Sequence, residues 1–212
     1  MPSAVLVVDD HPVFCTAMSM VVAAADDGAE TILVTNLAEA EAAVRARKFD
    51  LALLDLALPD VQGISGLLLL RQLRPDLTLA IVSGREEPRL MQQVAQCGAK
   101  GYIPKSTPMD AMVAAIKALL LGGHWFPDGT FAHAIPDEER ELAARFAELS
   151  TAQVRVLRAI ADGRLNKQIA HELGVTEATI KSHLQAIFRK LCVSNRTQAV
   201  LALNSFAALM EV

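Results

Sequence analysis

Three aspartates, a serine and a lysine stand where short apolar runs of the chain stop. They are Asp9, Asp10, Asp55, Ser83 and Lys105. Carboxylates gathered at one place repel each other, by roughly 4 kcal/mol per pair at about 4 Å and an effective dielectric near 20. A hard divalent cation offsets that repulsion, and Mg²⁺ suits a site with few carboxylates and several waters. The residue types therefore indicate a magnesium site, provided that the fold brings them together.

The same residues could handle a phosphoryl group. Mg²⁺ binds phosphate oxygens, Lys105 adds a second positive charge, and Ser83 adds a hydroxyl donor. Such a set would neutralise the charge of a transferring phosphoryl group. One of the carboxylates could itself be the covalent acceptor, because aspartyl phosphates are known intermediates.

Alternating elements are needed to position these residues, and residues 4–121 supply them. Five apolar runs have the pattern of parallel strands that are buried on both faces. They are Val5–Val8, Thr31–Val34, Leu51–Leu54, Leu79–Val82 and Gly101–Ile103. Helix-like stretches separate them, at about 13–20, 37–47, 64–74, 88–97 and 108–121. The pattern predicts one doubly wound α/β domain, which places ligands beyond the carboxyl ends of its strands.

The rest of the chain has a different pattern. We predict a domain over 1–121, a linker that is partly helical over 122–148, and a small all-α domain over 149–212. Four helices fit the last segment, at about 151–162, 167–173, 177–191 and 196–210. Ser150 and Gln153 form a candidate capping box, and Asn166 and Thr176 are candidate N-caps.

Composition excludes several classes of protein. The chain of 212 residues is 52% apolar, which excludes a disordered chain. No apolar run approaches the ~18 residues of a membrane span, and the first residues lack a basic segment, so we expect a cytoplasmic protein. Cys15, Cys97 and Cys192 form no C-x-x-C pair, which disfavours a disulfide framework or a zinc site.

Charge separates the two ends of the chain. Residues 1–121 carry 10 basic and 14 acidic side chains, and residues 122–148 carry 2 and 6. Residues 149–212 carry 8 basic and 4 acidic side chains. The basic end could face a polyanion, although this excess of four charges is small.

The helix predicted at 177–191 has two distinct faces. An apolar face carries Ile180, Leu184, Ile187 and Leu191, and should pack on the other helices. With the helix before it and the turn at Gly174, it forms a candidate helix-turn-helix, whose second helix enters the major groove of DNA. Ser182 and Gln185 lie on the outward face, where Gln185 could read base edges, adenine by preference. The candidates for phosphate contact are Lys167, Thr179, Lys181 and Arg189.

Residues 4–121 resemble a response-regulator receiver domain through the motifs LVVDDH, LLDLALPD, IVSG and GYIPK. The resemblance implies a flavodoxin-like fold with Asp55 as the phosphoacceptor. It implies that Mg²⁺ is bound by Asp9, Asp10 and Asp55 and by the backbone carbonyl of Ala57. Ser83 and Lys105 would contact the phosphoryl group, and Tyr102 matches the aromatic residue that changes rotamer in these domains.

Residues 149–200 resemble the LuxR-type DNA-binding domain, most specifically in NKQIA, TIKSH and RKL. A receiver followed by this domain is the NarL/FixJ type of transcriptional regulator. The family usually has an acidic residue where Gln153 stands, so a salt bridge from that acid is not expected here. Its last helix pairs two DNA-binding domains, and an apolar stripe permits this role. The stripe comprises Val200, Leu203, Ala207 and Met210.

We therefore predict a transcription factor and not an enzyme. A partner histidine kinase would phosphorylate Asp55, and the active form would bind double-stranded DNA as a homodimer. One alternative is a small phosphoryl-transfer enzyme that uses the same pocket, but the chain has no G-x-x-x-x-G-K-[ST] loop. A second alternative is a regulator that works without phosphorylation. The presence of all the pocket residues argues against this alternative.

Overall fold

The computed structural model describes residues 2–59, 64–132 and 136–208. The chain divides between residues 135 and 136 into two compact units. Unit 1 holds the sheet, and unit 2 is helical. Within the described residues, no helix has both the length and the apolar character that crossing a membrane requires.

A five-stranded parallel sheet forms the centre of unit 1, in the order β2-β1-β3-β4-β5. The strands are β1 (Ala4–Val8), β2 (Glu30–Val34), β3 (Leu51–Asp55), β4 (Thr78–Ser83) and β5 (Gly101–Pro104). The two central strands β1 and β3 are buried almost throughout, as their continuous apolar runs predict. The predicted doubly wound fold is confirmed.

Five helices connect and cover the strands. They are α1 (Pro12–Ala25), α2 (Leu37–Ala46), α3 (Ser65–Leu73), α4 (Pro88–Gln96) and α5 (Met109–Leu120). Helices α1 and α5 pack against each other, and with β1, β3 and β4 they enclose an apolar core. The strand order reverses between β1 and β3, which is the position where doubly wound sheets bind their ligands.

The segment that follows α5 packs on the sheet. Trp125 makes a parallel bridge to Gly101 at the edge of β5. The Tyr102 N–H donates to the Trp125 carbonyl at 2.8 Å, and Thr130 is buried. The first part of the predicted linker 122–148 thus belongs to unit 1. Its second part forms helix α6 (Asp137–Ala147) of unit 2.

Unit 2 is built around α9 (Glu177–Leu191). The other helices are α6, α7 (Thr151–Ala161), α8 (Asn166–Leu173) and α10 (Arg196–Ala208), and α9 packs against all four. The predicted apolar face of α9 is buried. Gly174 makes the turn between α8 and α9 with φ of 65°, a left-handed conformation that favours glycine.

Two of the three predicted helix starts are confirmed. The Ser150–Gln153 capping box is formed at α7, and the Thr176 side chain accepts from the Thr179 N–H at α9. The prediction for Asn166 is wrong, because α8 already includes this residue. The Gln168 side chain instead accepts from the Leu165 N–H at 2.7 Å, while Asn166 accepts from Arg196.

Candidate functional site

Two buried carboxylates lie at the carboxyl edge of the sheet, where β1 and β3 end. Asp9 and Asp55 are 2% and 1% exposed. The Asp9 backbone N–H donates to the carbonyl of Val34 at 3.1 Å, which extends the β1–β2 pairing by one residue. The Asp55 Oδ1 atom accepts from the Ala57 N–H at 3.1 Å. Backbone contacts therefore hold both carboxylates at the reversal of the strand order.

Lys105 joins these carboxylates. Its Nζ atom lies 2.7 Å from Asp9 Oδ2 and 2.7 Å from Asp55 Oδ2. The Lys105 N–H donates to the carbonyl of Ser83 at 2.7 Å, so that the ends of β4 and β5 position the side chain. Partial burial disfavours the ammonium, but the hydrogen bonds to the two carboxylates outweigh this effect and raise the pKa of Lys105. The lysine therefore stays charged in the pocket.

The third carboxylate and a histidine complete the cluster. Ligand atoms of Asp9, Asp10, His11 and Asp55 all lie within 4.8 Å of one another. Three carboxylates next to one ammonium group leave an excess of negative charge. Oxygen donors of this kind are what Mg²⁺ prefers, so the residues present fit that ion. The backbone carbonyl of Ala57 stays a predicted ligand.

A hydrogen-bonded path leads from the pocket to β5. The Ser83 hydroxyl is buried and accepts from the Arg85 N–H at 3.3 Å. The Tyr102 hydroxyl donates to the carbonyl of the same Arg85 at 2.9 Å. Burial raises the pKa of Tyr102 to about 12. Arg85, in the loop after β4, is thus hydrogen-bonded to both Ser83 and Tyr102, the residues that the sequence predicts to respond to phosphorylation.

Sequence reasoning missed the contacts of two side chains next to the pocket. Phe14, in the first turn of α1, places its ring centroid 4.6 Å from the Lys105 Nζ atom, a cation–π distance. His11 directs its Nδ1 atom at both neighbouring aspartates. Phe14 packs on the same core as Met18 and Val21 of α1, at helical spacing, so periodicity places its ring but not its contact with Lys105. For His11 the signal was its position directly after two aspartates.

Helix α9 presents a polar surface. Lys181, Ser182, Gln185 and Arg189 are exposed, and so is Lys167 on α8. Thr179 is half-buried, and its hydroxyl lies 2.9 Å from that of Thr176 within the helix cap. The predicted contact face therefore lies on the surface, apart from Thr179, whose hydroxyl takes part in capping.

Helix α10 buries a different set of residues from the predicted stripe. Ala199 and Phe206 are buried, and the Phe206 ring stacks on Phe146 of α6 with centroids 4.4 Å apart. Val200 and Leu203 are half-buried. The other two members of the stripe, the side chain of Ala207 and all of Met210, lie outside the described residues.

The fold and the pocket define a class of protein, a doubly wound sheet with an acidic site joined to a helix-turn-helix unit, and comparison with known families agrees. Residues 5–117 match the response regulator receiver domain, and residues 147–203 match the bacterial regulatory proteins of the luxR family. The chain belongs to the response regulators that carry a LuxR-type DNA-binding domain.

Relatives cover almost the whole chain. A glycerol metabolism activator of Pseudomonas putida is 35% identical over 206 residues, 93% of each protein. The transcriptional regulatory protein YdfI of Bacillus subtilis is 29% identical over 201 residues, 92% of each.

Solved structures share the fold. RcsB of Salmonella enterica serovar Typhimurium, bound to a promoter with the phosphomimetic BeF₃⁻, has a TM-score of 0.55 at 20% identity, over 96% of this chain and 98% of that one. A LuxR family DNA-binding response regulator from Silicibacter pomeroyi has a TM-score of 0.54 at 29% identity, over 61% of this chain and 99% of that one.

Proposed function

We propose that this response regulator is a transcription factor switched by phosphorylation of Asp55. The observation that carries the proposal is the contact of Lys105 with the buried carboxylates of Asp9 and Asp55, at 2.7 Å each. A buried aspartate paired with a lysine, beside further carboxylates, has the composition of a phosphoryl acceptor site. The donor is a partner histidine kinase, as expected for a receiver domain.

The transfer step moves one phosphoryl group. An Asp55 carboxylate oxygen attacks the phosphorus of a phosphohistidine, a P–O bond forms, and the P–N bond breaks to release the imidazole. Lys105 is positioned to neutralise charge on the phosphoryl oxygens, and the Ser83 hydroxyl can donate to one of them. Before transfer, Lys105 instead pairs with Asp9 and Asp55.

Mg²⁺ is the proposed cofactor. Asp9, Asp10 and Asp55 would hold it with the carbonyl of Ala57, and the ion would supply charge neutralisation for the phosphoryl oxygens. The chain contributes the fixed positions of these ligands, because Asp9 and Asp55 are buried at the ends of two central strands.

The response to phosphorylation runs through Ser83 and Tyr102. The Ser83 hydroxyl accepts from the Arg85 N–H, and the Arg85 carbonyl accepts from the Tyr102 hydroxyl. A phosphoryl group that draws the Ser83 hydroxyl toward itself would therefore change the conformation of the loop after β4 and the hydrogen bond of Tyr102. A new dianion biases such a two-state element. The functional boundaries that we propose are a receiver over 1–121, a connecting segment over 122–148 and a DNA-binding domain over 149–212.

The output is binding to double-stranded DNA in the cytoplasm. We assign base contact to Ser182 and Gln185 of α9, because both are exposed on its outward face. Phosphate contacts are assigned to Lys167, Lys181 and Arg189 and to the hydroxyl of Thr179. In the active homodimer the proposed contact is the apolar stripe predicted from the sequence, which comprises Val200, Leu203, Ala207 and Met210.

Phosphoryl labelling tests the proposal. The full chain is incubated with Mg²⁺ and a small-molecule phosphodonor, and intact mass spectrometry counts the phosphoryl groups. We expect one group on the wild type and on Asp27→Asn, a control at an exposed aspartate, and none on Asp55→Asn. Equal labelling of the Asp55→Asn variant would exclude Asp55 as the acceptor.

A further inference from the structure

His11 contacts two aspartates at the start of α1. It occupies the N-cap position, yet its side chain makes no capping hydrogen bond. The Nδ1 atom instead lies 2.9 Å from Asp10 Oδ1 and 3.1 Å from Asp9 Oδ1. The His11 backbone N–H donates to the same Asp9 oxygen at 2.8 Å, which fixes the backbone beside the pocket. The imidazole is thus aimed at the carboxylates and not at the helix.

These are hydrogen-bond distances, and they are also close to the spacing of ligands around one ion. Neighbouring ligands of an octahedral ion with bonds of about 2.1 Å are about 3 Å apart, and opposite ligands are about 4.2 Å apart. The Nδ1 atom lies 2.9 and 3.1 Å from two carboxylate oxygens, and the cluster that includes Asp55 spans at most 4.8 Å. The ligand atoms of the four residues are therefore grouped closely enough to be candidates for binding one ion.

The chemistry of the donor set decides which ions benefit. Mg²⁺ prefers oxygen ligands and gains little from an imidazole. Co²⁺, Ni²⁺ and Zn²⁺ bind imidazole well and bind mixed nitrogen and oxygen sites more tightly than the earlier divalent ions of the first row. A histidine in contact with two carboxylates therefore changes the selectivity of the pocket.

We propose that His11 supplies a nitrogen ligand that strengthens the binding of Co²⁺, Ni²⁺ and Zn²⁺ in this pocket relative to the binding of Mg²⁺. The inference rests on the proposed function, because it places the ion in the pocket of Asp55. His11 is a specificity-determining residue in this account, while Asp9, Asp10 and Asp55 hold whichever ion is bound.

Metal affinity tests the proposal without a phosphoryl readout. The untagged full chain is titrated with Ni²⁺ alone and with Mg²⁺ alone in a calorimeter. For His11→Ala we expect Ni²⁺ affinity to fall by about tenfold or more, and Mg²⁺ affinity to change by less than about threefold. His171→Ala, at an exposed histidine of α8, is the control for Ni²⁺ bound elsewhere and should behave as the wild type.

A second variant separates a ligand from a hydrogen-bond donor. The amide of His11→Gln can still donate to the carboxylates but binds Ni²⁺ poorly, so we expect it to resemble His11→Ala. Recovery of wild-type Ni²⁺ affinity in His11→Gln would overturn the proposal. Unchanged Ni²⁺ affinity in His11→Ala, or an equal loss for both ions, would overturn it as well.

The wild type offers a direct readout that needs no substitution of His11. With Co²⁺ bound, a hyperfine-shifted imidazole proton in the NMR spectrum should belong to His11, and its absence would contradict ligation. Asp10→Asn separates a failure of the proposed function from a failure of this inference, because loss of that carboxylate should lower the affinity for both Ni²⁺ and Mg²⁺. If it weakens neither and Asp55 takes no phosphoryl group, the proposed function fails; if only the His11 effects are missing, this inference alone fails.

Discussion

At the scale of single residues, Tyr102 reports on the region that we assign to the response. It is the only tyrosine of the chain, so phenol absorbance observes it alone. Its ring is buried, and its hydroxyl donates to the Arg85 carbonyl. Ionisation would place a charge in an apolar environment and remove that donor.

Titration of Tyr102 is the first prediction. Burial raises its pKa from 10.0 to about 12, so ultraviolet absorbance should show no phenolate in the folded protein at pH 10. The neutral, buried Tyr102 contributes fully to the free energy of unfolding below pH 10. This contribution is lost as the pH rises toward 12, because Tyr102 ionises at lower pH in the unfolded chain than in the folded protein. A midpoint near 10 in the folded protein would contradict the buried position.

Cys192 gives a second prediction at this scale. Across residues 2–59, 64–132 and 136–208 it is the one non-glycine residue with positive φ, at 55°, and it ends α9. Cys192→Gly should raise the free energy of unfolding by about 1 kcal/mol, because a side chain is strained in this conformation. Denaturant unfolding followed by circular dichroism measures the change. Cys192→Ser keeps the Cβ atom and should show no gain; an equal gain in both variants would refute the argument.

At the scale of elements, the start of α7 is held by an amide in place of the family's acid. The Gln153 Oε1 atom accepts from the Ser150 N–H at 2.9 Å and from Lys190 Nζ at 2.8 Å. Lys190 also donates to the Glu148 carbonyl at 2.7 Å, so it links α9 to the residues before α7. The hydrogen bond between Lys190 and Gln153 thus stands where the family's acidic residue could form a salt bridge.

Gln153→Glu is the prediction for this element. A carboxylate would form a charge-assisted bond with Lys190 and favour the helix N-terminus, so thermal unfolding should show a gain of about 1 kcal/mol at pH 7. The pairing would lower the pKa of the new carboxyl, and the gain should disappear as the pH falls through that value. A double-mutant cycle with Lys190→Met separates the pairing from the effect of the helix N-terminus, and an undiminished gain after the loss of Lys190 would contradict the pairing.

Apolar patterning made most elements predictable. The run LALLD has no polar residue until its end, so both the buried strand β3 and the position of Asp55 follow from it. The edge pairing of Trp125 with β5 was not predictable, because the neighbouring glycines and proline indicate a linker and the pairing is a tertiary backbone contact. The sequence prediction placed Asn166 at the N-cap of α8, but the Asn166 side chain instead accepts a hydrogen bond from Arg196, thirty residues away.

In the pocket, too, the sequence pattern predicted which residues meet but not all of the side-chain contacts. That Asp9, Asp55 and Lys105 meet follows from a rule about parallel strands. The contacts of Phe14 with Lys105 and of His11 with the aspartates depend on side-chain directions that periodicity does not contain.

At the scale of the whole molecule, charge is distributed to match the two roles. Residues 149–212 carry 8 basic and 4 acidic side chains, and the remainder of the chain has an acidic excess. The exposed bases of α8 and α9 contribute to that basic end. Binding to DNA should therefore weaken with salt through counterion release.

Lys181→Ala tests this distribution of charge. Affinity for duplex DNA is measured against salt concentration, and the slope of log K against log salt should become shallower by about one unit. Lys117→Ala, at an exposed lysine of α5, is the control and should leave the slope unchanged. An unchanged slope for Lys181→Ala would remove Lys181 from the phosphate contacts.

In the proposed function, phosphorylation of Asp55 controls binding to DNA. The most direct measurement is the DNA affinity of the full chain with Mg²⁺, before and after addition of a small-molecule phosphodonor, for the wild type and for Asp55→Asn. We expect the donor to tighten DNA binding of the wild type and to leave that of Asp55→Asn unchanged. Equal affinity of the wild type in both conditions, or an equal response in Asp55→Asn, would contradict it.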